Sequence, residues 1–246
     1  NKIRVLLVED SVVIRGVIKK ILEAEDDIGS IEIAPNGELG VANYKRSKPD
    51  VVLMDIEMPV KDGITALSEI IDFDSQAKVI MCSTLTVKNA EITMKAMRIG
   101  AVDYIPKPSN VKDANGPGEF KENLLRLVRS VKGGGADQRK DFKAGMPIPA
   151  NIKLRPAPPL HWKPKVVAVG SSTGGPQALF ELMESIKGVN LPVVITQHMP
   201  ATFTTLLSQH ISQQTGFKCV EGADGVELEA GKAILAPPNH LSLGYR

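Results

Sequence analysis

Short, nearly unbroken apolar runs recur along the first half of the chain, each followed by a segment of helical period. The runs at 3–8, 30–34, 51–54, 78–83 and 102–106 alternate with helix-period segments near 11–24, 37–47, 62–72, 88–99 and 119–131. Strands that read as continuous Val/Ile/Leu runs rather than as alternating ones are buried on both faces. Five such βα units therefore predict a parallel sheet with helices on both sides. The first run, Ile-Arg-Val-Leu-Leu-Val, suits a buried position within that sheet.

The composition shifts after residue 131. From Lys132 to about Lys163 the chain carries Gly133-Gly134-Gly135, mixed charges and then Pro147, Pro149, Pro156, Pro158, Pro159 and Pro164, the pattern of an interdomain linker with a flexible part and a stiffer part. A second α/β region follows. Strands are predicted over 165–169, 192–197, 218–221 and 232–236, with helices over 176–186 and 203–215. The predicted domains are 1–131 and 164–246, joined by 132–163.

A chain of 246 residues with net charge +2 and 43% hydrophobic residues reads as soluble and globular, with no basic excess that would suggest nucleic acid. Cys82 and Cys219 lie in or beside apolar runs without metal-ligand spacing, so buried free thiols in a reducing compartment are expected. No leader pattern and no apolar stretch of spanning length is seen, which gives a cytoplasmic expectation with no membrane insertion.

The ends of the predicted strands carry the chemistry. Glu9-Asp10 follows the first run and Asp55 the third, so parallel neighbours would bring these acids to one crevice at the carboxyl edge of the sheet. Carboxylates so placed repel one another unless a hard cation such as Mg²⁺ joins them, and a carboxylate held there can attack a phosphoryl group. Ser83 ends the fourth run with a hydroxyl, and Lys107 follows the fifth with a point charge suited to phosphate. Asp10 also fits the N-cap of the helix beginning near Ser11, and Tyr104 also fits a packed edge aromatic.

Glu9-Asp10, Asp55 with Met58-Pro59 and Asp62-Gly63, Ser83, Tyr104 and Lys107-Pro108 together resemble the signature of a two-component response-regulator receiver domain over residues 1–131. The resemblance implies a (βα)5 flavodoxin-like fold with Asp55 as the phosphoacceptor, and a Mg²⁺ site made by Glu9, Asp10, Asp55 and the Glu57 carbonyl. It further implies phosphoryl contacts from Ser83 and Lys107, a rotating aromatic at Tyr104, and a histidine kinase as phosphodonor. It makes the Lys107-Pro108 bond cis, whereas spacing alone predicts trans.

Past the linker, a strand runs into Gly170-Ser171-Ser172-Thr173-Gly174-Gly175-Pro176 and a helix. A turn of this kind can cradle phosphate, but it lacks both the P-loop ending and the dinucleotide spacing. It does satisfy G-x-S-x-G with Ser172 at the centre, the pattern of a nucleophile elbow, although a helix-capping Gly/Ser turn has the same look. The next strand delivers His198 at its carboxyl end, where it fits a base for Ser172. His161 falls in the linker, His210 in a helical segment, and His240 in a loop as the rival base.

The order receiver, linker, Gly-Ser-Ser-Thr-Gly-Gly, Thr-Gln-His-Met-Pro and Ala-Pro-Pro-Asn-His-Leu resembles the chemotaxis protein-glutamate methylesterase family, CheB type. The resemblance implies a doubly wound parallel second domain with Ser172 as nucleophile and His198 as base. Methylated chemoreceptor glutamates would be its substrate, glutamine deamidation a second activity, and no cofactor would serve the esterase site. The family's third triad residue is an Asp downstream of the Ala-Pro-Pro-Asn-His-Leu segment, past Arg246, while Asp224-Gly225 reads as a surface turn. The second domain is therefore expected to be a truncated copy with at most weak ester hydrolysis. A non-catalytic phospho-switch that controls partner binding is the alternative function.

Overall fold

In the computed structural model, which describes residues 2–84, 86–107, 119–134, 163–172, 174–199 and 201–237, two parallel sheets form along the chain. The first comprises β1 (Ile3–Val8), β2 (Ile28–Ala34), β3 (Val51–Asp55), β4 (Val79–Ser83) and β5 (Asp103–Pro106), in the order β2-β1-β3-β4-β5. Its helices are α1 (Val12–Glu23), α2 (Gly37–Ser47), α3 (Gly63–Phe73), α4 (Val87–Ile99) and α5 (Glu119–Gly134). The second sheet, in the order β6-β7-β9-β8, is built from β6 (Val167–Ser171), β7 (Val193–Gln197), β8 (Lys218–Glu221) and β9 (Lys232–Leu235), with α6 (Gly175–Ser185) and α7 (Ala201–Thr215). Most of the predicted linker lies outside the described residues, as do Pro108, His161 and His240.

The helix starts are fixed by side-chain caps that take up otherwise unpaired N–H groups. Ser11 accepts from the Ile14 N–H, Asn36 from that of Leu39, Asp62 from that of Thr65 and Thr86 from that of Asn89. One expectation is corrected here: Ser11, not Asp10, caps α1, which leaves the Asp10 carboxylate exposed and unengaged by the helix. A second correction concerns β6, which runs two residues later than the apolar pattern suggests. Val167 pairs with Val193 and Ser171 with Gln197, so the ladder draws Gly170 and Ser171 into the strand and leaves Lys165 and Val166 outside it.

The core divides by sheet face. On one face Val17, Ile18 and Leu22 of α1 and Leu124 and Val128 of α5 pack on Leu7, Leu53 and Ile80. On the other, Tyr44 of α2, Leu67 of α3 and Met94 of α4 cover Leu6, Met54 and Met81. This second cluster continues without a break into Leu179 and Met183 of α6 and Phe203, Leu207 and Ile211 of α7. The helix α4 thus packs against its own sheet and against α6 and α7. Both cysteines are free and buried.

At Gly63 the backbone approach is close enough to test. A Cβ built there would lie 1.8 Å from the Asp55 carbonyl oxygen, because the start of α3 closes directly over the end of β3. Gly63→Ala must move one or the other, and is expected to cost roughly 1–3 kcal/mol, as over-packing typically does. The check is urea unfolding of the variant against the parent chain; an unchanged midpoint would contradict the close approach.

Candidate functional site

Parallel register delivers the acids as the sequence suggests. Val8 pairs with Met54 and Asp55 with Cys82, so Glu9 and Asp55 emerge side by side at the carboxyl ends of β1 and β3. Both are buried, whereas Asp10 is exposed, and one ligand oxygen from each of the three lies within 4.8 Å of the others. An all-oxygen, acid-rich set of this kind fits a hard divalent cation better than a thiophilic metal. Lys107, one residue past β5, reaches across the strand ends to 2.7 Å from Asp55 Oδ2 and 3.0 Å from Glu9 Oε2.

Burial raises the proton affinity of Glu9 and Asp55 above the ordinary carboxylate range, and for Glu9 the neighbouring Asp55 charge adds to it; Lys107 offsets only part of this. Burial acts on the Lys107 ammonium in the opposite sense, but the two carboxylates overcome it and hold its pKa above the usual value. The backbone N–H groups of Ile56 and Glu57 favour the ionised form of Asp55 in the same sense as Lys107, without overcoming burial. The Ser83 side chain is buried at the end of β4 and donates to the Thr84 carbonyl. Val60, in the loop leaving Asp55, is a β-branched residue at φ 69° and largely exposed, a strained conformation beside the acid cluster.

In the second sheet Ser172 and His198 each follow a residue of one cross-strand pair, Ser171 and Gln197, so they leave adjacent strands at the same edge. Both are exposed. The His198 N–H donates to the Ser171 carbonyl at 3.3 Å, and Gly174 at φ 71° makes the tight turn into α6. Asp224 stands exposed in the turn with Gly225, as the sequence suggests.

The two sheets meet at β5. The Tyr104 ring stacks on Phe203 of α7 with centroids 4.5 Å apart and planes 12° from parallel. Its hydroxyl is buried without a hydrogen-bond partner, and burial pushes its pKa upward. Beside it, Asp103 Oδ2 accepts from the Gly174 N–H at 3.3 Å and Oδ1 from the Tyr104 N–H at 2.8 Å. Gly174 offers no capping side chain, so a carboxylate from the first sheet occupies the N-terminus of α6, where a helix favours negative charge.

The structure brings Glu9, Asp10, Asp55 and Lys107 together at one strand edge, sets Glu57 next to them, and ends β4 beside them at Ser83. Tyr104 lies at the junction of the sheets rather than at the acids, and Ser172 with His198 forms a separate edge. Sequence reasoning did not single out Asp103, Phe203 or the side chain of Gln197. The paired glycines after Ser172 were a usable signal for the last, since a Cβ at Gly175 would fall 1.9 Å from Gln197 Oε1.

A parallel five-stranded sheet with clustered acids and a lysine at its carboxyl edge defines a response-regulator receiver, and residues 5–114 match the response regulator receiver domain family. Residues 167–244 match the CheB methylesterase family. Similar curated proteins include a protein-glutamate methylesterase/protein-glutamine glutaminase of Rhodospirillum centenum, 41% identical over 95% of this chain and 65% of its own length. Another, from Paramagnetospirillum magneticum, is 41% identical over 96% of this chain and 67% of its own. The solved response regulator domain of Thermotoga maritima CheB aligns with 54% of this chain and 97% of its own, at 38% identity and a TM-score of 0.49. The chain belongs to the CheB-type protein-glutamate methylesterase family, and it spans about two thirds of the length of these relatives. No helix among the described residues is long and apolar enough to cross a membrane.

Asp103 makes the junction sensitive to pH. Burial, only partly offset by the N–H groups of Tyr104 and Gly174, pushes its pKa up to about 6. A raised acid pKa means that packing the sheets together favours the protonated form. The stabilisation is full below the ordinary value of 3.8 and is lost as pH rises through about 6. Distance reporters on the two domains should therefore show closer docking at pH 5 than at pH 7, and Asp103→Asn should flatten the profile. Docking that tightens with rising pH would contradict the sign.

Proposed function

We propose that this chain is a phosphorylation-regulated methylesterase that removes methyl esters from chemoreceptor glutamates, with protein-glutamine deamidation as a further activity of the same site. The receiver would comprise residues 1–131, the linker 132–163 and the catalytic domain 164–246. The observation that carries the reading is the seam at β5, where Tyr104 and Asp103 of the receiver engage Phe203 and the turn behind Ser172. A receiver seated there restricts the serine edge, and a change at its acid cluster can be felt at that seam.

In this reading Asp55 accepts a phosphoryl group from a histidine kinase. Glu9, Asp10, Asp55 and the Glu57 carbonyl would hold Mg²⁺, which neutralises charge on the transferring group when bound. Lys107 and Ser83 would take the phosphoryl oxygens, drawing the ammonium from the Glu9–Asp55 pair toward the new anion. Tyr104 would then leave its stack on Phe203, relieved of a buried hydroxyl without a partner. At the second edge Ser172 would attack the ester carbonyl while His198 takes its proton and returns it to the leaving methanol; water then frees the glutamate.

Asp55→Asn should take up no phosphoryl from a small acyl-phosphate donor in Mg²⁺, and labelling that survives would move the acceptor elsewhere. Ser172→Ala should end whatever methanol release the chain shows on a methylated receptor, and adding His198→Ala should lower it little further, because such pairs act as one unit. Release that survives in Ser172→Ala would move the nucleophile elsewhere, whereas a parent chain that releases no methanol in either phosphorylation state would leave the phospho-switch as the function. Because the Lys107 ammonium occupies the same two carboxylates that would bind a cation, Lys107→Ala should keep or tighten Mg²⁺ affinity in calorimetric titration. A large loss would place the lysine in the metal site.

A further inference from the structure

Between Ser172 and His198 lies a side chain to which neither the fold nor the proposed chemistry assigns a task. Gln197 ends β7, and its side chain turns inward to about nine-tenths burial. Its Nε2 donates to the Ser172 carbonyl at 3.0 Å and to the His198 carbonyl at 3.2 Å, while its Oε1 accepts from the Ser171 hydroxyl. One amide thus ties the main chain of both exposed residues to each other and to the strand pair that carries them. The orientation is fixed by the network, since a flipped amide would press its oxygen against two carbonyl oxygens.

The surroundings are built around this amide. Gly175 opens α6 without a side chain, and a Cβ there would fall 1.9 Å from Gln197 Oε1. The Gly175 N–H donates to the Ser172 carbonyl at 2.7 Å, so that carbonyl is held from the helix and from the glutamine together. A buried amide with both donors used on the flanks of two separate residues restrains their relative placement more than their local turns can.

We propose that Gln197 is a positioning residue that sets the distance and orientation between Ser172 and His198; this rests on those two being the reacting pair. Gln is the side chain that fits. Asn is one methylene short of the two carbonyls, Met keeps the length but has no donor, and Glu sets negative oxygens against both of them. The role is distinct from that of Ser171, whose loss leaves both Nε2 bonds intact.

The test is the rate at which the full chain is labelled by a serine-directed fluorophosphonate, with the first-order labelling constant separated from the fraction of molecules labelled. Gln197→Met and Gln197→Glu are expected to lower the constant by about 10²-fold, the scale of a displacement near 1 Å, with the labelled fraction retained. A merely structural role would lower the fraction and leave the constant of the folded molecules unchanged. Ser171→Ala should stay near the parent. Hydrogen exchange in peptides spanning 167–175 and 193–199, which needs no reactivity, should rise in Gln197→Met and not in Ser171→Ala. Parent-like exchange together with a parent-like labelling constant in Gln197→Met overturns the proposal. If the parent and Ser172→Ala label equally, the nucleophile assignment fails instead, and the exchange result still decides whether Gln197 restrains the two turns.

Discussion

Two carboxylates buried side by side at the end of a sheet persist because one ammonium reaches both. Glu9 and Asp55 are forced together by the parallel register of β1 and β3, and Lys107 arrives from the far side of β4. Removing one partner from such a cluster strands charge in a poorly solvated place, so the register of all three strands is held by the same electrostatics that the site uses. The balance is incomplete by design of the residue count: with Asp10 at the rim, three acids face one lysine. That leftover negative charge is what suits the edge to a hard cation.

The same strand that ends in Lys107 makes the seam between the sheets. An exposed edge strand invites unwanted pairing, and here β5 is the edge of its sheet, covered on that side by the turn before α6 and by α7. The cover is not purely apolar. A carboxylate with raised proton affinity and a tyrosine hydroxyl without a partner both lie in it, and each subtracts from the stability of the docked arrangement. Association by a large apolar cluster, weakened at two polar points, leaves a junction held firmly enough to form and loosely enough to be released.

Much of this was legible in the residues because the signals are local. Continuous apolar runs placed the buried strands β1, β3 and β4, the weaker patterns at β2 and β5 still placed those two, and the acids, Ser83 and Lys107 could be read from their position at strand ends. At the start of α1 the sequence left the cap open, because Asp and Ser are both good caps and only the backbone geometry decides which hydroxyl or carboxylate reaches the Ile14 N–H. β6 was displaced because Gly and Ser read as turn, while the neighbouring β7 recruits them into its ladder. Asp103 and Gln197 escaped notice for another reason. Their distant partners lie 71 and 26 residues away, and nothing in the local pattern of a strand announces which neighbour a side chain at either end will meet.

The unbroken cluster running from Met94 through Phe203 to Met183 limits how freely this architecture can be recombined. In a chain whose domains merely hang from a tether, a receiver can be exchanged for any other that folds. Here α4 belongs to two cores, so a transplanted receiver would carry its own sheet intact and still leave α6 and α7 facing a surface shaped for something else. The heritable unit is the receiver together with the helices that rest on it, and drift in α4 must be matched on both sides at once.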